Sequence, residues 1–287
     1  MSTSQEYDPA AKSLRREQQV SFAENTFRRI LSSAVDTGYR FIRFDDPAAL
    51  LPQAGTPIFH LRHDVDISPD MAFRLGEIEH EKGICGNFFF QLNAETYSFF
   101  GTDTLAMIRD LRSMGHCVGL HIDERLLGFD EQAIGESLDW VNKHVIAIDP
   151  VVSFHRPSPA VLGRRFKTII NTYDDRLFDP AFYLSDSRRS LAFHQPLMDW
   201  IRQEKPRIQL LLHPEWWEEV SSLNEFWTLL SRRRTDQLRQ YMRVNFPKLF
   251  ADLLGRENGG PEIYGPAPDG QRHRPRPHKK VTFRPHS

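Results

Sequence analysis

One pattern restricts the fold more than any other: strand-like apolar runs alternate with segments that carry apolar residues at helical spacing. Residues 85–92, 117–121, 151–154 and 208–212 are near-continuous hydrophobic runs, as expected of strands buried on both faces. Residues 39–44, 59–67, 167–171 and 182–186 add further strand signals. Between them, Phe22, Phe27, Ile30, Leu31 and Val35 recur at helical intervals, as do Met71, Leu75 and Ile78 after the helix-starting Ser68-Pro69. Further helices are expected over 102–114, 129–148 and 196–204. A long amphipathic helix follows, with Leu223, Phe226, Trp227, Leu230, Leu238, Tyr241 and Met242 on its face. Strands alternating with helices imply parallel βαβ units. About seven such strands predict an irregular (β/α)7-type barrel, a single α/β domain over 18–255. Polar residues 1–17 and the Gly-, Pro-, Arg- and His-rich stretch 256–287 are expected to be flexible.

Composition narrows the function by exclusion. The 287 residues carry a formal net charge of -1, which gives no argument for nucleic acid or an anionic membrane as the main partner. Two cysteines, Cys85 and Cys117, make no disulfide framework and fit a reducing compartment. The first residues lack the order of a signal peptide, and no apolar run approaches the roughly 18 residues of a transmembrane helix. A cytoplasmic protein without a transmembrane segment is expected. The basic stretch 272–280 could touch anionic surfaces; the alternative is a solvated tail.

Residues 59–67 end in Asp64 and Asp66. In an extended backbone these two carboxylates point to one side, at the carboxyl end of a strand, where α/β enzymes keep their chemistry. Crowded carboxylates repel, and the repulsion is relieved if one binds a metal and the other serves as a base. His121, then His155 with Arg156, then Asp186, then His213 each stand at or just after another expected strand. Delivery of five such groups to one face is what a metal or acid–base site needs. His63 is expected to face outward or to cap a neighbour, and His116 to be structural.

In this order the motifs resemble the polysaccharide deacetylases of carbohydrate esterase family 4. The order is Asp-x-Asp, Gly-His-x-x-Gly-x-His, Arg-Pro, Asp and Leu-Leu-His. Deacetylase-like proteins of surface-polysaccharide gene clusters are similar to residues 63–66, 154–157, 183–187 and 212–217. The resemblance implies a distorted (β/α) barrel and a metal-dependent amidase that removes an N-acetyl group from a sugar or glycoconjugate. By family position it makes Asp64 the base, Asp66 and His121 metal ligands, and Arg156 the arginine orienting the base. Asp186 becomes the acid that tunes His213, the general acid. Trp216 and Trp217 could stack on a sugar, with core packing as the other expectation for one of them.

One position departs from the family. The usual second metal histidine lies four residues after the first, and Arg125 occupies that place. Arginine has no lone pair to offer a metal. Asp123 and His155 are the reachable replacements, and His155 preserves an Asp-His-His set suited to zinc and similar divalent ions. Two other readings stand beside the deacetylase: a scaffold or binding protein on an inactive barrel, motivated by Arg125, and a metal amidase or deformylase acting on a small amide.

Overall fold

The strand that ends at the paired aspartates, β2 (Ile58–Val65), is buried along its whole length. Around it lie β1 (Arg40–Phe41), β3 (Asn87–Phe90), β4 (Cys117–Asp123), β5 (Val151–His155), β6 (Ile170–Asn171), β7 (Tyr183–Ser185) and β8 (Arg207–Leu212). The computed structural model describes residues 20–50 and 55–250. The stretches expected to be flexible, 1–17 and 256–287, lie outside the described residues. The chain divides into two compact units, Met1–Ser222 and Leu223–Ser287.

The strands form one parallel sheet in the order β6-β5-β4-β3-β2-β8-β7, with β1 paired to the first residues of β2. The sheet curls into a half-barrel. This corrects the expected barrel: among the described residues no ladder joins β6 to β7, so the ring does not close. The physical reason lies in the edges. β6 has two residues and β7 three, and the segment between them turns instead of extending. Short edge strands leave few unpaired backbone groups.

Alternation along each strand separates two faces. Phe59, Leu61, Ile208, Leu210 and Leu212 pack with Phe27, Ile30, Leu31 and Ala34 of α1 (Glu24–Asp36) and with Leu197 and Ile201 of α7 (His194–Arg202). Leu75 and Ile78 of α3 (Pro69–Glu81) join the same cluster. Val35, expected on the α1 face, is exposed, because residues 27, 30, 31 and 34 already complete the stripe. Phe88, Phe90, Val118, Leu120, Val152 and Phe154 pack with α4 (Thr102–Ser113) and α6 (Glu131–His144). Truncating any one of these leucines, isoleucines or phenylalanines to Ala should cost about 2–5 kcal/mol. The short helices α2 (Pro47–Leu50) and α5 (Glu124–Leu127) complete this unit. In the second unit, α8 (Leu223–Asn245) is a 23-residue helix.

The other face of the sheet is apolar around Ile58, Phe89, Cys117 and Val151 and polar beyond them. Register sets His60 beside Gln209, Arg62 beside Asn87, and His121 beside Ser153. Gly119 on β4 lets β5 approach: a Cβ there would lie 2.0 Å from the Val151 carbonyl oxygen. Closeness of these two strands brings their histidines together above.

Candidate functional site

At the carboxyl ends of the strands three donors converge from β2, β4 and β5. Asp66 Oδ1 lies 3.3 Å from His121 Nε2 and 3.2 Å from His155 Nδ1, and the two ring nitrogens are 3.3 Å apart. A tetrahedral ion with bonds of about 2.0–2.1 Å has ligand–ligand edges of about 3.3–3.4 Å. These three atoms therefore already form one face of such a coordination shell and could hold a metal ion. Two of the three are oriented by a neighbour. His121 Nδ1 sits 2.7 Å from Ser153 Oγ, which leaves Nε2 to face the cluster, and Gln91 Nε2 donates to Asp66 Oδ1 at 2.6 Å. Burial opposes a charge on Asp66, but the hydrogen bonds and charges of both histidines outweigh it and hold the carboxyl well below its usual range.

Asp64 stands beside this group, its Oδ2 3.7 Å from His121 Nδ1. Burial would neutralise it, yet Arg62 holds it ionised through a two-pronged contact, Nε to Oδ1 at 2.9 Å and Nη2 to Oδ2 at 2.7 Å. Arg62 is itself fully buried, its guanidinium 4.5 Å from the centre of the Tyr173 ring. Across the cluster, His213 Nε2 lies 4.0 Å from Asp66 Oδ2. Its Nδ1 is 2.7 Å from Asp186 Oδ1, and its backbone N–H and the Trp217 indole N–H also donate to that carboxylate. Burial disfavours a charge on the His213 ring, but the hydrogen bond and charge of Asp186 prevail and raise its pKa to about 9.

No family model, no curated protein and no solved structure matches this chain. The chemistry rests on its own side chains.

Of the expected site residues, Asp64, Asp66, His121, His155, Asp186 and His213 come together. Arg156 does not: it is exposed, its backbone adopts φ 52°, and it makes no contact with Asp64. Arg62 is the arginine that contacts Asp64. The alternation that pairs Asp64 with Asp66 also carries back two residues to Arg62, and that signal was there to be used. Asp123, the alternative third ligand, is engaged elsewhere. The Arg125 backbone N–H donates to its Oδ1 at 2.9 Å and the guanidinium grips both oxygens, holding its pKa down to about 2. Trp217 is core, 3% exposed and packed on Phe22 and Phe27, the packing expected for one of the two tryptophans and not the substrate contact that was the other expectation for it. Trp216 is half-buried, its ring 6.2 Å from that of His213.

Both set-aside histidines behave as expected. His63 faces the helices, 2.6 Å from Glu79 Oε1, and His116 accepts from the Gly86 N–H and contacts the Gly76 carbonyl. Glu215 was not anticipated. It is fully buried with no hydrogen bond on either oxygen, and burial together with the charge of Asp66 pushes its carboxyl well up. Nothing in the sequence between His213 and Trp216 announces it. A cleft of about 370 Å³ lined by Leu92, Leu127, Glu136 and Trp140 includes none of the donors, so ligand geometry and not hollow size marks this site.

Proposed function

We propose that the chain is a metal-dependent hydrolase that removes an N-acetyl group from a sugar or glycoconjugate. The observation that carries this reading is the triangle of Asp66, His121 and His155, flanked on one side by the ionised Asp64 and on the other by His213. One carboxylate and two imidazoles suit zinc or a similar divalent ion. Such an ion, when bound, polarises a carbonyl and lowers the pKa of water.

The side chains supply the rest. Asp64 accepts the proton of the attacking water, and Arg62 keeps it ionised and fixed until then. His213 enters protonated, with Nδ1–H held by Asp186, and gives its Nε2 proton to the departing amine. An ionised base and a charged acid on opposite sides of one cluster are the pairing that amide hydrolysis requires. The sugar follows from the resemblance of the motifs at 63–66, 183–187 and 212–217, and Trp216 offers a ring face next to the acid.

Arg125, which motivated a scaffold reading, is turned onto Asp123, while His155 supplies the third donor. The test is Asp64→Asn. It should retain one equivalent of metal and lose roughly 10²–10⁴-fold of acetate release from N-acetyl sugars. Full activity in that variant removes Asp64 from its role. Release from small amides alone, with none from sugars, moves the enzyme to the amidase reading. A protein free of metal after purification without chelators would restore the scaffold.

A further inference from the structure

The near-zero net charge hides two opposed regions. Residues 223–287 hold thirteen Lys and Arg against six Asp and Glu, a net +7, whereas residues 1–222 sum to -8. Within the basic region lies α8, with five arginines and only Glu225 and Asp236 against them.

Its side chains sort by direction. At about 100° per residue, Leu223, Trp227, Leu230, Leu238 and Tyr241 fall within a stripe about 80° wide, and Arg232, Arg239 and Arg243 fall within about 40° on the opposite side. In a helix of the first unit such a stripe is buried: Phe27, Ile30, Leu31 and Ala34 of α1 have no exposure at all. On α8, Leu223 is 70% exposed, Trp227 71%, Leu238 61% and Tyr241 57%. Val244 on the flank, and Phe246 and Leu249 just beyond the helix, are exposed as well. Arg234 interrupts the stripe, and its guanidinium lies 3.3 Å from Gln237 Oε1, turned along the helix.

We propose that α8 is an interfacial helix that lies on an anionic lipid surface. A helix with Trp and Leu on one side, Arg on the other and low mean hydropathy binds in the headgroup plane and does not span it. A tryptophan and a tyrosine on the apolar stripe suit that depth, where one end of the ring is dry and the other wet. Arg234 reaches up to the phosphates with its stem along the apolar side. The net charge supplies the complementarity, since each basic residue near an anionic leaflet adds attraction that fades within a Debye length. Nucleic acid would use the arginines but leave Leu223, Leu238 and Val244 without a role, which is why lipid is the partner these side chains favour. Such binding would bring the first unit to substrates carried on a lipid.

The test uses the full chain and no substrate, so it stands or falls apart from the deacetylase reading. Sedimentation with phosphatidylcholine vesicles, with and without phosphatidylglycerol, should give binding only when the anionic lipid is present, falling steeply as salt is raised. Trp227→Glu combined with Leu238→Glu should abolish it. Arg232→Gln, Arg239→Gln and Arg243→Gln together should weaken it on the order of a hundredfold. Metal content and melting temperature of each variant check that the first unit is intact. Failure to bind, or binding indifferent to both variants, overturns the proposal. So does a dimer that dissociates in the Trp227/Leu238 variant without any vesicle binding, which would assign the stripe to a second copy, or binding to RNA alone.

Discussion

Two triads of potential ligands sit at opposite ends of β4 and β5, and proximity alone does not tell them apart. Asp66, His121 and His155 meet at the carboxyl end; Asp45, Cys117 and Asp149 meet at the other. In the first, the facing atoms are two imidazole nitrogens and a carboxylate oxygen with no arginine on it. In the second, Arg43 takes both oxygens of Asp45 at 2.8 and 2.6 Å and reaches Asp149 at 3.0 Å. Arg112 and the Val118 N–H occupy the rest of Asp149. Burial raises the Cys117 thiol well above its usual pKa, so it offers no thiolate. The lesson is that a cation needs unclaimed lone pairs and unbalanced negative charge, and only one end of these strands offers both.

The largest expected effect tests this directly. His121→Ala or His155→Ala should weaken divalent-metal binding by more than about a hundredfold, read as loss of the single equivalent by metal analysis, while Cys117→Ser leaves the stoichiometry unchanged. If Cys117→Ser removes metal, the ranking of the two clusters is reversed.

The next contrast is between the arginines. Arg62→Met leaves a fully buried Asp64 without its partner and should cost about 3–5 kcal/mol in urea unfolding. Arg43→Met should cost about 1–3 kcal/mol, because Arg112 still faces Asp149. An equal or larger loss at Arg43 would mean that its cluster is the more tightly balanced one.

Histidines at the two ends should give stability opposite pH slopes. His60, stacked on Phe44 toward the start of β2, is fully buried and its pKa is pushed down to about 3 by burial. The unfolded chain therefore takes that proton first, and on the order of 5 kcal/mol present above pH 6.5 is lost as pH falls from 6.5 toward 3. His60→Phe should flatten this acid limb. His213 is raised, so its contribution is full below pH 6.5 and is lost as pH rises through about 9. NMR titration of metal-free protein should find His213 near 9, and loading a divalent cation should pull it down by repulsion. The smallest effect belongs to Arg125→Ala, an exposed partner of Asp123, which should leave metal stoichiometry and melting temperature nearly unchanged.

Much of the fold was legible because buried parallel strands write continuous apolar runs. β3, β4, β5 and β8 fall inside the expected ranges or within two residues of them. The open edge was not legible, since residues 167–171 and 182–186 carry strand-like composition but extend for only two and three residues. At the site, period-two alternation found Asp64 and Asp66 but was not carried back to Arg62. Arg156 stands apart from Asp64, exposed and at φ 52°, a backbone turn that residue order does not encode. Ser153 and Gln91 make hydrogen bonds to His121 and Asp66 that only tertiary register creates.

In the parallel register Asp123 stands beside His155, on the same side of the sheet as His121. A ligand lost from one strand can thus be supplied by the next strand over, with no rearrangement of the backbone. Positions 123 and 155 share one patch of space although 32 residues separate them, and linear spacing alone would never pair them.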